Sequence, residues 1–318
     1  MPYSASRVAA GIINPVTGRR IVKTWMIDEI LPFIENAYTE FGVELGINII
    51  SQKNIIDFFP TPQMREVFLK RKDEETFYLH EANSPDEFSP FFNYEFGYGI
   101  IAPSFIGHIE LLLPAWRKQL QQNHQLLEEK FDQSKLSVST DSIRYQDITA
   151  DKIIFCDGIN SFNNPLFQLL PFAINKGEAL IIEVNELPEN YIYKKGIALV
   201  PLQETGKFWV GTNYIWNYAD VLPTKEFLKK TEQLLKNWLK VPFHIFDHKA
   251  ALRPANVERR PFVGMHPIHQ NAGILNGMGS KGCSLAPYFA KQLSDHLIHK
   301  KEILPEADIN RFQKILSR

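Results

Sequence analysis

The sequence contains little cysteine, little excess charge and no long apolar run, and each absence excludes a class of protein. Its two cysteines, Cys156 and Cys283, are too few for a disulfide scaffold or a cysteine-rich zinc site. The formal net charge of −1 shows no excess of basic residues that would favour binding to nucleic acid or to an anionic membrane surface. No segment approaches the roughly 18 consecutive apolar residues of a membrane-spanning helix. We therefore expect a cytoplasmic protein with no membrane span and no nucleic-acid partner.

Motifs of several common enzyme classes are also absent. The nine histidines are scattered, and His244 and His248 have no carboxylate or cysteine partner at metal-ligand spacing. These two histidines are interpreted as structural, and no metal site is predicted. There is neither a Gly-x-Ser-x-Gly nucleophile elbow nor a phosphate-binding Gly-Lys-Ser/Thr motif. With 44% hydrophobic and 22% charged residues, the composition is that of an ordinary globular protein whose 318 residues suffice for two interleaved domains.

One stretch, over 250–287, combines a constrained cation with a bare glycine-rich backbone. Arg253 precedes Pro254, so a constrained backbone holds its guanidinium where it could bind a carboxylate bidentately. Ile274 and Leu275 predict a short buried strand, and a helix is expected soon after. Between them lies Gly277-Met278-Gly279-Ser280-Lys281-Gly282. Backbone N–H groups at a helix start suit an anionic ligand edge, so the stretch indicates a cofactor beside a small acid. A structural Arg-Pro pair and a ligand-free turn are the competing interpretations.

The order of three motifs in this stretch resembles the C-terminal signature of the D-amino-acid-oxidase (DAO) superfamily. The motifs are Leu252-Arg253-Pro254, then Arg260-Pro261-Phe262-Val263-Gly264, then the glycine-rich stretch itself. Within the superfamily they are most similar to the glycine oxidase and sarcosine oxidase branch of FAD-dependent amine oxidases. The resemblance implies that Arg253 binds the substrate carboxylate. It also implies that the flavin is approached by Gly277, Met278, Gly279, Ser280, Lys281 and Gly282.

Two further segments resemble cofactor-binding parts of this family. The first is similar to an Ala-Ser-x-x-Ala-Ala-Gly segment that wraps the flavin and pyrophosphate, which implies cofactor contacts at Ser4, Ser6, Arg7, Ala9, Ala10 and Gly11. The second, over 152–161, resembles a strand ending in Ala-Gly-x-x-Ser beside the pyrophosphate. In this segment the resemblance implies a cofactor contact at Gly158. Here Cys156 and Asp157 replace small neutral residues. Cys156 is expected to be a packed core thiol.

The main departure from the family lies upstream of these segments. In the family, a strand, a Gly-x-Gly-x-x-Gly turn, a helix and a second strand ending in an acid come before the Ala-Ser segment. That unit of roughly 30 residues is not found in front of Ala5. We expect a chain shortened by a late start codon or by trimming, rather than a protein that never had the unit. Without it, FAD would lose much of its adenosine site.

The predicted fold class is α/β (α+β). It comprises a Rossmann-like FAD-binding domain missing its first βαβ unit, interleaved with an antiparallel-sheet substrate domain. The FAD-binding domain is discontinuous, over 1–45, 99–170 and 250–318, and the substrate domain covers 46–98 and 171–249. Apolar periodicity predicts helices over 25–41, 104–122, 224–239 and 285–297, and a short one opening at Thr61-Pro62. Strands are expected over 47–56, 99–103 and 153–156, and the aromatic run over 88–98 is assigned to core packing.

The resemblance implies FAD-dependent oxidation of a small amine or amino acid, such as glycine, sarcosine or a D-amino acid. A hydride would pass to flavin N5, the imine would hydrolyse, and reoxidation by oxygen would form peroxide. Ala198 and Leu202 stand where glycine-oxidase-like relatives carry an aromatic residue and an Arg, which leaves the exact substrate open. The expected partner is a small-molecule substrate, and a homo-oligomer is compatible with the sequence.

Two alternatives are kept. A tRNA wobble-uridine-modifying oxidase of the same fold would need a basic face, which the near-neutral charge does not favour. A truncated or degenerate non-catalytic protein would retain the fold and bind no FAD.

Overall fold

The structure is a computed structural model that describes residues 4–75, 77–82, 84–139 and 142–317. The chain divides into two compact units. The first contains residues 1–114 and 176–251, and the second contains residues 115–175 and 252–318. Both are discontinuous in sequence.

Strands occur mostly in consecutive runs, which α-helices separate. The described strands are β1 (Ile12–Ile13), β2 (Val16–Thr17), β3 (Val22–Lys23), β4 (Ile50–Gln52), β5 (Ile55–Phe58), β6 (Leu79–Glu81), β7 (Tyr98–Ile101), β8 (Phe105–Gly107), β9 (Leu136–Val138), β10 (Ile143–Tyr145), β11 (Ile148–Ala150), β12 (Ile153–Phe155), β13 (Asn175–Glu183), β14 (Ile192–Lys195), β15 (Ile197–Pro201), β16 (Lys207–Gly211), β17 (His244–Arg253), β18 (Phe262–Met265) and β19 (Ala272–Asn276). The α-helices are α1 (Ala5–Val8), α2 (Ile27–Leu45), α3 (Pro62–Glu74), α4 (Ile109–Gln122), α5 (Lys225–Trp238), α6 (Gly282–His299) and α7 (Gln313–Leu316).

Most of an eight-stranded sheet lies in the first unit. Its strand order is β17-β13-β16-β15-β14-β5-β7-β6. The pairs β13–β16, β15–β16, β14–β15, β5–β7 and β6–β7 are antiparallel. The pair β14–β5 is parallel, which corrects the expectation of a purely antiparallel sheet. This sheet is therefore mixed.

The core of the first unit is rich in aromatic side chains. Phe58, fully buried on β5, has ring neighbours in Phe88, Phe92, Tyr98 and Trp238 at centroid distances of 6.1, 4.9, 5.6 and 5.7 Å. Three of these residues come from the aromatic run over 88–98. The assignment of that run to core packing is confirmed.

A smaller sheet with a parallel pair defines the second unit. Strand β12 pairs in parallel with β19, and β19 pairs antiparallel with β18, in the order β12-β19-β18. A separate antiparallel sheet has the order β11-β10-β9. The unit has its own apolar cluster, which includes Phe155, Phe167, Phe262 and Ile274. The predicted buried strand at Ile274 is β19, where Ile274 is fully buried.

Most helices follow the predicted periodicity. Helices α2, α5 and α6 contain the apolar stripes predicted from spacing. Thr61 and Thr224 cap α3 and α5 by accepting hydrogen bonds from Met64 N (3.3 Å) and Phe227 N (3.2 Å). Within the described residues, every helix is too short or too polar to cross a lipid bilayer.

Two further sequence predictions are wrong. The segment from Ser104 does not open a helix, because Phe105 to Gly107 form β8, the middle strand of the sheet β1-β8-β4, and α4 begins only at Ile109. All three β8 residues are buried, and a short buried apolar run has no periodicity that separates strand from helix. Cys156 is exposed instead of packed in a core, because it follows the last residue of β12, which lies at a sheet edge.

Candidate functional site

The candidate site lies in the second unit, at the carboxyl ends of β12 and β19. These strands are parallel neighbours, with Phe155 opposite Ile274, so they end at the same edge of the sheet. Ligands of open α/β sheets bind in the crevice outside this edge. Gly158 and Gly277 follow the two strand ends and have φ values of +61° and +76°, where side chains other than glycine are strained. The structure thus brings two of the sequence-predicted cofactor positions to one edge.

The glycine-rich stretch connects β19 to α6. Gly279 to Lys281 form a 3₁₀ turn that runs directly into the helix. The stretch itself has the spacing Gly-x-Gly-x-x-Gly between a strand and a helix, but among the described residues no strand follows this helix to complete a dinucleotide-binding βαβ unit. The first turn of α6 contains no acidic residue, and Lys281, its N-cap, has only donors on its side chain. This helix start therefore favours an acceptor-rich or anionic ligand.

Two buried asparagines hold the peptide groups of Gly277. Asn276 Oδ1 accepts a hydrogen bond from Gly277 N at 2.8 Å. Asn256 Nδ2 donates to Gly277 O at 2.7 Å and to Arg260 O at 2.5 Å. Position 277 has no room for a side chain, because an added Cβ would lie 2.8 Å from Phe262 Cδ2. The start of the loop is therefore fixed from both sides.

Arg253 is oriented by a third buried amide. It is the last residue of β17, and Asn175 is the first residue of the neighbouring strand β13. Arg253 Nη1 donates to Asn175 Oδ1 at 2.9 Å, and Asn175 is only 2% exposed. This bond holds the guanidinium plane, and a guanidinium can bind a carboxylate through two N–H groups.

The segment after Arg253 contacts the glycine-rich stretch. Gly279 N donates to Pro254 O at 3.2 Å, and a Cβ at Gly279 would lie 3.2 Å from the Cβ of Ala255. The two residues after Arg253 therefore contact the glycine-rich stretch, although more than twenty positions separate them in sequence.

The predicted N-terminal cofactor residues belong to the first unit. Ser6, Arg7 and Ala9 are exposed, and Ser4 precedes the four-residue helix α1 without a side-chain cap. Ala10 is half-buried, and Gly11 is buried. A Cβ at Gly11 would lie 2.0 Å from Gly107 O, and Gly107 N donates to Gly11 O at 2.9 Å. Close packing against β8 thus requires this glycine whether or not a ligand is present.

Three residues of the site region were missed by the sequence analysis. Asn175, Asn256 and Asn276 carry amides that bond to residues predicted from the motifs. The only sequence signal was proximity, because Asn276 directly precedes Gly277 and Asn256 follows the Arg-Pro pair. Their burial could not be predicted from the sequence, because asparagine is mostly a surface residue.

Asp157 places a carboxylate at the same edge. Burial raises the pKa of the Asp157 carboxyl above its ordinary value, and the hydrogen bond from Ser161 Oγ opposes this increase. The burial of a charge is unfavourable, so ionised Asp157 weakens the folded state.

We expect Asp157→Asn to raise the melting temperature at pH 7. A raised pKa means that the folded chain binds the proton more tightly than the unfolded chain, so stability falls as pH rises through the raised pKa. Asparagine removes this loss and still accepts from Ser161. The gain over wild type should shrink towards pH 4, close to the unfolded pKa of about 3.9. Thermal melts from pH 4 to 8 test this, with the exposed neighbour Asp151→Asn as control. A gain that grows towards low pH would contradict it.

Among the described residues, no three His, Cys, Asp or Glu side chains are grouped to hold a metal ion. The site consists of backbone groups, amides, one arginine, one lysine and the carboxylate of Asp157.

A glycine-rich turn that leads into a helix at the carboxyl ends of parallel strands is a common binding site for anionic ligands and cofactors. The chain matches the family model of DAO, the FAD dependent oxidoreductases, over residues 2–296. It belongs to this family.

Solved structures with the same fold cover nearly the whole chain. Glycine oxidase from Geobacillus kaustophilus is similar, with a TM-score of 0.77 at 16% identity over 97% of this chain and 88% of that one. Iminodiacetate oxidase from Chelativorans sp. BNC1 has a TM-score of 0.73 at 15% identity, covering 98% and 90%. L-proline dehydrogenase from P. horikoshii has a TM-score of 0.71 at 15% identity, covering 94% and 86%. The fold is thus the mixed α/β fold of DAO-family oxidases.

The residues at the strand ends fit a flavin in part. The uncapped start of α6 and Lys281 suit the electron-rich edge of the ring, and a Cβ at Gly282 would meet no described atom within 4 Å. Gly158 has the same open surroundings. Asp157 is the one group at this edge that disfavours a phosphate.

Proposed function

We propose that this protein is an FAD-dependent oxidoreductase that oxidises a small amine or amino acid, similar to a glycine, sarcosine or D-amino-acid oxidase. The observation that carries the proposal is the hydrogen bond from Gly279 N to Pro254 O, which places the segment of Arg253 against the glycine-rich loop. Family membership and the amino-acid-oxidase fold support it. The structural relatives act on different small amino or imino acids, so the substrate class is the finest level we propose.

Each group has a defined role in this proposal. Arg253 binds the carboxylate of the substrate and thereby orients its amine-bearing carbon, while Asn175 keeps the guanidinium in place. The backbone at Gly158 and over 277–282 approaches the cofactor. Lys281 and the first N–H groups of α6 stabilise negative charge on the ring. When bound, FAD supplies the hydride acceptor, which no side chain of the protein can provide. The N-terminal residues Ser4 to Gly11 stay in the proposal as cofactor contacts.

We also propose that these 318 residues lack the first βαβ unit of the FAD-binding domain, with the domain bounds given above. Among the described residues, β12 has one strand neighbour, β19, and its residues Ile153 and Ile154 are only half-buried. Because that unit binds the adenosine half, FAD would have little advantage over FMN.

The proposal is tested by flavin binding followed by turnover. The purified chain should show the visible absorption of a bound flavin or acquire it on titration with FAD. The dissociation constant for FMN is expected within about tenfold of that for FAD. A complete dinucleotide-binding fold also binds the pyrophosphate and adenosine, and its preference for FAD over FMN would be much larger. Small amino acids should then bleach this absorption anaerobically, and peroxide should form in air.

The outcomes separate the alternatives. No binding of any flavin would overturn the proposal and favour the non-catalytic alternative. Flavin binding without reaction with any small amine, combined with tRNA binding, would favour the wobble-uridine alternative. A much tighter complex with FAD than with FMN would contradict the missing adenosine site while leaving the oxidase assignment intact.

A further inference from the structure

We propose that Asn276 is a positioning residue that fixes the two cofactor-binding backbone segments against each other. The segments are the turn after β12, over 157–163, and the loop after β19, over 277–282. The inference rests on the proposed function, and it adds a role for a residue that contacts neither substrate nor cofactor in the proposal.

The side chain of Asn276 bridges the two strand ends. Its Nδ2 donates to Gly158 O at 2.7 Å and to Ser161 Oγ at 2.9 Å. Its Oδ1 accepts from Gly277 N at 2.8 Å. Gly158 and Gly277 are the residues that leave β12 and β19 in the left-handed conformation. One amide therefore sets the distance between the two peptide segments that face the crevice.

The side chains that form this bridge are buried. Asn276 is 5% exposed and Ser161 is fully buried, so water cannot easily replace a lost partner. Both amide hydrogens and the amide oxygen are used, which is the whole polar capacity of one asparagine except for spare lone pairs. Ser161 Oγ in turn donates to Asp157 Oδ1. The bridge thus also decides which way the acidic side chain at this edge is held.

A closely matched residue exists at the other end of the same strand. Asn271 precedes β19, is 6% exposed, and its Nδ2 donates to Ser139 O at 2.7 Å. It shares with Asn276 the residue type, the burial and a bond to a distant backbone carbonyl. It differs in lying at the amino end of β19, away from the crevice. Loss of Asn271 therefore measures the cost of removing a buried amide without touching the site.

The experiment compares Asn276→Ala with Asn271→Ala in the full chain. We expect the dissociation constant for FAD to increase at least about tenfold in Asn276→Ala, which loses three side-chain hydrogen bonds, and less than about twofold in Asn271→Ala, which loses one. Without ligand, hydrogen exchange should accelerate in both segments, 157–163 and 277–282, in Asn276→Ala. In Asn271→Ala the faster exchange should stay near Ser139 and the start of β19. If Asn276→Ala does not fold, Asn276→Ser serves in its place.

The results distinguish the inference from the function on which it rests. If wild type binds FAD and Asn276→Ala keeps the wild-type affinity, the inference is wrong and the proposed function stands. Faster exchange in only one of the two segments would also overturn it, because a bridge must release both. If wild type binds no flavin, the proposed function fails, and the role of Asn276 in cofactor binding fails with it.

Discussion

Arg253→Ala is expected to lower kcat/KM for an amino-acid substrate by roughly 100-fold, the result of losing about 3 kcal/mol of charge-assisted hydrogen bonding. The loss should be specific to the carboxylate. For the matching amine without a carboxylate, kcat/KM should change little, so the ratio between the two substrates falls by the same factor. Arg253→Lys keeps the charge but not the planar pair of donors, and it should recover only part of the loss.

Two controls locate this effect. The affinity for FAD should be unchanged in Arg253→Ala, because the proposed role concerns the substrate. Arg259→Ala removes an exposed arginine of the same segment and should leave both substrates unaffected. Asn175→Ala should fall between wild type and Arg253→Ala, since the guanidinium remains but loses its bond to Asn175 Oδ1. Equal losses for the amino acid and the amine would show that Arg253 does not bind the carboxylate.

The local parts of the fold could be predicted from the sequence because their signals are local. Thr61 before Pro62, and Thr224 before the stripe of α5, are capping patterns readable within a few residues. The strand at Ile274, the glycine-rich turn and the apolar face of α6 follow one another within thirty residues. Their order also carried the family resemblance that the comparison over residues 2–296 confirmed.

The long-range parts could not be predicted in the same way. Asn276 is 118 positions from Gly158 in sequence, and Arg253 is 78 positions from Asn175. No periodicity or motif spacing connects residues so far apart, and buried asparagines look like surface residues in a sequence. The error at β8 has a different origin. Its residues are buried because β1 and β4 lie on both sides of it. Such a tertiary contact cannot be predicted from three consecutive residues.

Gly277 and Gly282 are expected to respond in opposite ways to alanine. Gly277 has a φ of +76°, and its Cβ would lie 2.8 Å from Phe262 Cδ2 and 3.0 Å from Asn256 Nδ2. Left-handed strain and overpacking together should destabilise Gly277→Ala by about 2–4 kcal/mol. Gly282 has a helical φ of −54° and no described atom within 4 Å of the added methyl. Alanine favours helix by about 0.5–1 kcal/mol, so Gly282→Ala should be as stable as wild type or more stable.

The affinity of Gly282→Ala for flavin, compared with its stability, tests the cofactor site. If the cofactor approaches the backbone at the start of α6, a methyl group at Gly282 occupies part of its space, and the dissociation constant for FAD should rise at least about tenfold although the chain is no less stable. Such a separation between stability and affinity cannot come from damage to the fold. Thermal melts without ligand and FAD titrations of the same samples give both values. An unchanged affinity in Gly282→Ala would mean that the flavin does not lie against this helix start, and the glycine-rich loop would then be only a structural turn.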